Sequence, residues 1–323
     1  MGEFYTKPDK SQWSGRISGK QQYLHEIVLL KDLEEEDLFY SENRVYALLG
    51  YACDEGVRRN SGRPGAVKGP DAIRKELGKM ANHLPKSVQL IDAGNIHCPD
   101  GDLEGSQDIL ASMTTKLVKQ GATPLILGGG HDIAYGHYRG IINGLKKGNR
   151  IGIINFDAHF DLRSNEGSNH SGSPFYQIAN ECSSEGKPFD YPGLGIRKEA
   201  NPPELFETAS RFGAKYLELP EFSMHNETAV KNTIVDFLSE VDKVYVTVDM
   251  DGFSSAFSPG VSASSPVGFN PEIVFACLET IIGSGKLTSL DVAETNPLYD
   301  KDQQTAKLAA GMIYYAMHKH ALL

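Results

Sequence analysis

A single α/β domain of three layers, with a mostly parallel sheet between two layers of helices, is predicted by three features of the chain. Short apolar runs with strand character alternate with helical stretches from about residue 44 onward, and strands joined by crossover helices pair in parallel. Three of those runs, within 124–131, 151–161 and 243–251, end in glycine, histidine or aspartate, and open α/β sheets gather ligands at strand carboxyl ends. No Pro/Ser-rich or charged linker divides the middle of the 323 residues, a length that one large α/β unit can fill. The expected division is an N-terminal extension over 1–42 packed on a main domain over 43–323.

In order, residues 1–42 are polar and weakly periodic, with the only tryptophan at Trp13 and an acidic Glu34–Asp37 run read as a solvated helical face. A strand over 44–50 leads into a glycine-rich loop over 56–65 that carries Arg58, Arg59 and Arg63, a place where an anion can dock. Pro70 and Asp71 open a helix to about residue 80, 88–93 forms a strand and 106–120 a helix. The strand 123–127 runs into Gly128-Gly129-Gly130-His131, followed by a helix to about residue 146. That triple glycine lacks the GK[ST] ending of a phosphate loop, so it is read as letting the backbone pass close to something bound.

Beyond a long loop over 162–175 come strands at 193–197 and 215–219, helices at 203–212 and 227–240, and the strand ending in Asp249. A turn-rich loop over 252–268, a helix over 271–282, a strand over 287–292 and an alanine-rich helix from about 303 complete the chain.

Composition narrows the function classes. A net charge of -10 and a pI near 5.5 lack the basic footprint of a nucleic-acid binder, and no apolar run reaches the length of a membrane span. Cys53, Cys98, Cys182 and Cys277 lie far apart without a CxxC pair, as expected of reduced thiols in a cytoplasmic protein.

The chemistry sits at three strand ends. In an extended backbone, residues two apart share a face, so Asp157, His159 and Asp161 are expected to project together, as are Asp249 and Asp251, with His131 beside them. Each motif read alone could be a surface strand end; their joint occurrence after three apolar strands points to a metal site. Four aspartates balance two divalent cations. Oxygen-rich ligation with two imidazoles and no thiolate suits Mn²⁺ better than a structural Zn²⁺, and two cations about 3.5–4 Å apart can share and acidify a water.

On these residues the chain resembles the arginase, or ureohydrolase, superfamily over about residue 43 to the C-terminal helix. The motifs carrying the likeness are the histidine after a glycine-rich strand end (His131), Asp-Ala-His-x-Asp (Asp157 to Asp161) and Asp-x-Asp (Asp249 to Asp251). The resemblance implies an arginase-like fold, a trimer or hexamer, and a hydrolase with two Mn²⁺ per subunit that cleaves a carbon–nitrogen bond of a guanidine or amidine. It implies that His131 and Asp161 hold one metal, His159 and Asp251 the other, and that Asp157 and Asp249 bridge. Glu294 corresponds to the acid that bonds the substrate's cationic NH groups, and Asp161 to the proton donor for the leaving amine.

Departures single out a branch. Ser171-Gly172 stands where arginases carry His-Gly, with His170 one position earlier, so the proton-shuttling histidine is absent or displaced; Ser254 replaces a third aspartate. Together with Gly56-Val-Arg-Arg-Asn-x-Gly-Arg63 and Trp13-Ser-Gly-Arg16, the pattern is similar to that of the formimidoylglutamases of histidine degradation, which release formamide and glutamate from N-formimidoyl-L-glutamate. Such a substrate brings two carboxylates, for which Arg163, Arg58, Arg59, Arg63 and Arg197 are candidate partners. The alternatives are a urea-releasing ureohydrolase acting on agmatine, guanidinobutyrate or arginine, and a catalytically silent metal-binding protein.

Overall fold

A strand with apolar side chains on both faces has no solvent face, so it seeks helices on either side. Val45 to Leu49, Ile153, Ile154 and Val244 to Val248 are all buried in this way. The computed structural model describes residues 2–35 and 44–323. Its elements in chain order are β1 (Tyr5–Thr6), α1 (Leu24–Ile27), β2 (Leu29–Leu30), β3 (Arg44–Ala52), α2 (Glu55–Arg59), α3 (Gly69–Gly78), β4 (Val88–His97), α4 (Leu103–Lys119), β5 (Thr123–Leu127) and α5 (Ile133–Gly144). There follow β6 (Ile151–Phe156), α6 (Pro174–Ser184), β7 (Pro192–Ile196), α7 (Pro203–Phe212), β8 (Lys215–Glu218), α8 (Glu227–Glu240), β9 (Lys243–Asp249), α9 (Pro271–Gly283), β10 (Leu287–Ala293) and α10 (Gln304–His320).

The strands form one sheet in the order β1-β4-β3-β5-β10-β9-β6-β7-β8, with β2 also on β4. Every pairing is parallel except β1 on β4. Helices α4 to α7 cover one face, where Leu110, Ile141 and Ile178 are buried, and α3, α8, α9 and α10 cover the other through Ile73, Ile234, Leu278 and Ile313. This is the predicted three-layer α/β arrangement.

One helix stands where loop was expected: α2 occupies Glu55–Arg59, at the start of the stretch read as a glycine-rich loop. The loop after β6 ends near residue 175 as expected, and α6, which has no counterpart in the sequence reading, begins there with Pro174 in its first turn, where a missing N–H costs nothing.

The N-terminal residues close the β4 edge. β1 pairs with Asn95 and Ile96, β2 with Ile91 and Asp92, and buried Trp13 donates from Nε1 to Asp92 Oδ2 at 2.7 Å. The other oxygen of Asp92 accepts from the buried guanidinium of Arg74 at 2.8 Å. Glu34 and Glu35 are exposed in a turn, whereas Asp37 and the 42/43 boundary lie outside the described residues.

Candidate metal centre and its cavity

Four neighbouring strands at the middle of the sheet, β5, β10, β9 and β6, end together, and each carries functional side chains at or just past its end. His131 follows β5, Glu294 follows β10, Asp249 closes β9 with Asp251 beyond it, and Asp157, His159 and Asp161 follow β6. The pleat does not bring them together, contrary to expectation. β6 stops at Phe156, and Asp251 lies in a 3-10 turn over Met250–Gly252. Both acidic motifs use the same local device instead: Asp157 Oδ1 accepts the N–H of His159 at 2.8 Å, and Asp249 Oδ1 that of Asp251 at 2.7 Å. An aspartate that bonds the amide two residues on bends the chain into a turn. Asp161 then takes a left-handed backbone, φ 47.

The triple glycine also acts differently from its reading. What passes close is strand backbone: a Cβ on Gly129 would lie 1.9 Å from the Cys53 carbonyl oxygen, and one on Gly128 2.4 Å from that of Val292. The amides of Gly128, Gly129 and Gly130 donate to Val292, Tyr51 and Cys53, which lays His131 over the sheet end.

His131 Nδ1 is 2.9 Å from Asp161 Oδ2 and 3.1 Å from both Asp157 Oδ2 and Asp249 Oδ2. His159 Nδ1 is 3.3 Å from Asp251 Oδ1 and 3.4 Å from Asp157 Oδ1. Two groups result, His131/Asp157/Asp161/Asp249 and Asp157/His159/Asp251, with Asp157 in both. All are buried except His159, which is partly exposed.

The donors fit small divalent cations on three grounds. Octahedral bonds of roughly 2.1 Å impose ligand–ligand edges of about 3 Å, close to the separations found. His131 Nδ1 and Asp251 Oδ1 are buried without a hydrogen-bond partner. His131 Nε2 lies 2.9 Å from Thr247 Oγ1, whose hydroxyl donates to Asp291 at 2.5 Å; Nε2 thus keeps a proton, and Nδ1, which faces the acids, is the nitrogen that would take a cation in place of a proton.

Electrostatics agree. Burial disfavours the charged form of His131, but Asp157, Asp161 and Asp249 outweigh it and raise its pKa well above the ordinary value. Burial, with Asp251 and Asp157 beside it, pushes Asp249 well up, and Glu294 is raised by burial together with Asp249 and Asp251. Burial acts against ionised Asp157 too, yet His131 and His159 hold it low. Acids this close and this buried call for positive charge among them.

The Arginase family model matches residues 44–319. The chain belongs to the arginase family. A formimidoylglutamase of Clostridium tetani is 39% identical over 97% of this chain and 96% of that relative, and one from a Geobacillus species (strain WCH70) is 40% identical over 98% and 97%. Among solved structures, Trypanosoma cruzi formiminoglutamase with Mn²⁺ superposes at a TM-score of 0.76, with 26% identity, covering 90% of this chain and 98% of that one. Bacillus subtilis formimidoylglutamase shares the fold at 0.82 and 22% identity over 96% and 95%. In this arginase-family fold the buried His/Asp cluster is a binuclear metal site.

A cavity of about 160 Å³ opens above the arginase-family cluster, lined by Asn60, Arg163, Ser171, Asn201, Ser262 and Glu294 besides the ligands. Of the five candidate arginines only Arg163 reaches it, exposed and with its guanidinium in no hydrogen bond or ion pair among the described residues. Arg58 is paired with Glu55, and Arg59 with Glu55, Glu104 and two carbonyls. Arg63 donates to the carbonyls of Val261 and Ser262 under the ring of Tyr299, and Arg197 to that of Val267.

Ser171 lines the cavity and its Oγ accepts from Asn60 at 3.2 Å. Both ring nitrogens of His170 are occupied by backbone, Nδ1 by the Gly172 amide and Nε2 by the Ser164 carbonyl, so His170 staples its own loop. Glu294 Oε1 accepts the His131 amide at 3.0 Å while Oε2 is buried without a partner. Asn60 belongs to the loop read, with its arginines, as a place where an anion can dock. Asn201 and Ser262 were not singled out from the sequence, and neither has a periodic or spacing signal.

Proposed function

We propose that this chain is a binuclear manganese hydrolase that converts N-formimidoyl-L-glutamate and water to L-glutamate and formamide in histidine degradation. The observation that carries the reading is one cavity holding both a paired-cation donor set and an unpaired arginine. The relatives' names supply the substrate, and the Mn²⁺ of the Trypanosoma cruzi structure fits the oxygen-rich donors. Asp157 and Asp249 bridge the two positions on this reading, with His131 and Asp161 on one side and His159 and Asp251 on the other.

A bound cation pair supplies Lewis acidity and lowers the pKa of water for attack on the formimidoyl carbon. Glu294 turns its free Oε2 to the cationic NH groups of the amidine, its other oxygen fixed by the His131 amide. Arg163 pairs with a substrate carboxylate, to which its guanidinium can present two donors. Asp161 passes a proton to the glutamate nitrogen as its bond to carbon breaks, so glutamate leaves as the amine and formamide carries the oxygen of water. Arg59 ties down the loop that carries Arg163 through the Asn169 carbonyl, Arg63 and Arg197 hold the 261–267 stretch, and Arg58 is engaged with Glu55.

Among the described residues no helix is long and apolar enough to cross a membrane. We assign the enzyme to the cytoplasm, consistent with four unpaired thiols, and to a homotrimer or homohexamer, on family resemblance.

The deciding experiment is a product assay on the Mn²⁺-loaded protein. Formamide and glutamate are expected from formimidoylglutamate, with activity lost on chelation and restored by Mn²⁺. Urea from agmatine, guanidinobutyrate or arginine, with formimidoylglutamate untouched, would overturn the assignment, as would stoichiometric metal with no turnover of any amidine or guanidine.

A further inference from the structure

The ligand run leaves the sheet after β6: the Asp157 amide still donates to the Leu194 carbonyl of β7 at 3.1 Å, but beyond it the regular ladder ends. Ala158 and Phe160 are fully buried, and a buried N–H or C=O without a partner is costly. Their partners come from outside the run. Asn201, only 4% exposed, accepts the Phe160 N–H on Oδ1 at 3.1 Å and donates from Nδ2 to the Ala158 carbonyl at 2.9 Å, spanning His159. Its Nδ2 also donates to the Arg197 carbonyl at 2.8 Å. The Arg197 amide adds a second bond to the Ala158 carbonyl at 2.9 Å, and the Tyr191 hydroxyl takes the Phe160 carbonyl at 3.0 Å.

From this geometry we infer that Asn201 is a positioning residue for the metal centre. Its one amide fixes the peptide groups on either side of His159 and sets the entry into the left-handed backbone at Asp161. Although Asn201 borders the cavity, its acceptor and its donors are directed to main chain, so it acts on the ligands and does not grip substrate. Alanine at this position would leave the Phe160 N–H unbonded and the Ala158 carbonyl with one partner, while every ligand side chain stays in the sequence. The inference rests on the metal-centre reading above but needs no assumption about the substrate.

The test is a Mn²⁺ titration by isothermal calorimetry on the apo full-length wild type, Asn201→Ala and Asn201→Ser, each checked for a cooperative thermal transition. Serine keeps a polar atom but is too short to span both peptide groups, so it serves if alanine fails to fold. The wild type should bind two ions per chain. The variants should bind 10- to 100-fold more weakly, the range for loss of a group that orients ligands. At saturating Mn²⁺ kcat should fall while KM stays within about twofold. Unchanged Mn²⁺ affinity, with KM raised or only the melting temperature lowered, would overturn the inference. A wild type that binds no Mn²⁺ would instead remove the metal-centre reading, and this inference with it.

Discussion

Asp161 and Glu294 both adopt positive φ, 47 and 61, a conformation that costs a non-glycine residue about 1–3 kcal/mol. Both border the cavity, and each is held from outside, Glu294 by its N–H to the Gly129 carbonyl at 2.7 Å and Asp161 by its carbonyl to the Phe175 amide. Strain of this kind can be separated from chemistry by comparing two truncations. Glu294→Gly and Glu294→Ala should both lose turnover, but the glycine variant should be more stable than the alanine by about 1 kcal/mol in denaturant melts, since only the alanine keeps a Cβ in the left-handed region. Equal stability would show that the backbone there is unstrained. At this scale the six proposed ligands and Glu294 were legible, because metal chemistry restricts residue type and the motifs fix spacing. Asn201 was not: an amide that serves a backbone 41 residues away leaves no pattern in its own neighbourhood.

At the scale of elements, β4 gains its neighbours from the N-terminal residues through one buried charge pair. Asp92 accepts from Trp13 and Arg74, and the Arg74 guanidinium also reaches Asn95 and the Gly94 carbonyl. Removing one partner of such a pair strands the other in low dielectric, a loss of about 3–5 kcal/mol. Asp92→Ala should therefore lower the unfolding free energy from denaturant titration by that amount and free residues 2–33 to proteolysis; a change below about 1 kcal/mol would mean Arg74 finds solvent. Apolar runs and helix-opening prolines made most elements legible, including Glu227–Glu240 and Thr123–Leu127. The ligand turns were hidden because a two-residue alternation of acids fits a pleat as well as the aspartate-capped turns found here. β1 and β2, two residues each, carry too little periodicity to be seen.

Across the whole molecule, the end of α10 is joined to the start of β3. The Arg44 guanidinium donates to the His320 carbonyl, and the His320 ring meets Tyr46 edge-on. Burial, reinforced by Arg44 and Lys243, lowers the His320 pKa from 6.5 to about 4. At this residue the folded state therefore holds fewer protons than the unfolded chain between those values, so the contribution of His320 to stability falls as pH drops from about 6.5 toward 4. His320→Gln should flatten that part of the stability–pH curve by up to one proton, measured by urea unfolding at several pH values; an unaltered slope would place the titration elsewhere. The layered architecture itself was readable from alternation alone, but which strands lie side by side was not, since strand order is set by contacts between distant segments.

The margins of the sheet are finished in two ways. On one side antiparallel β1 is laid against β4, and on the other β8 is four residues long with Lys215 and Glu218 at its ends. Short or charged margins resist the addition of a foreign strand. Copies of this chain that meet in solution are therefore expected to do so through their helices and loops.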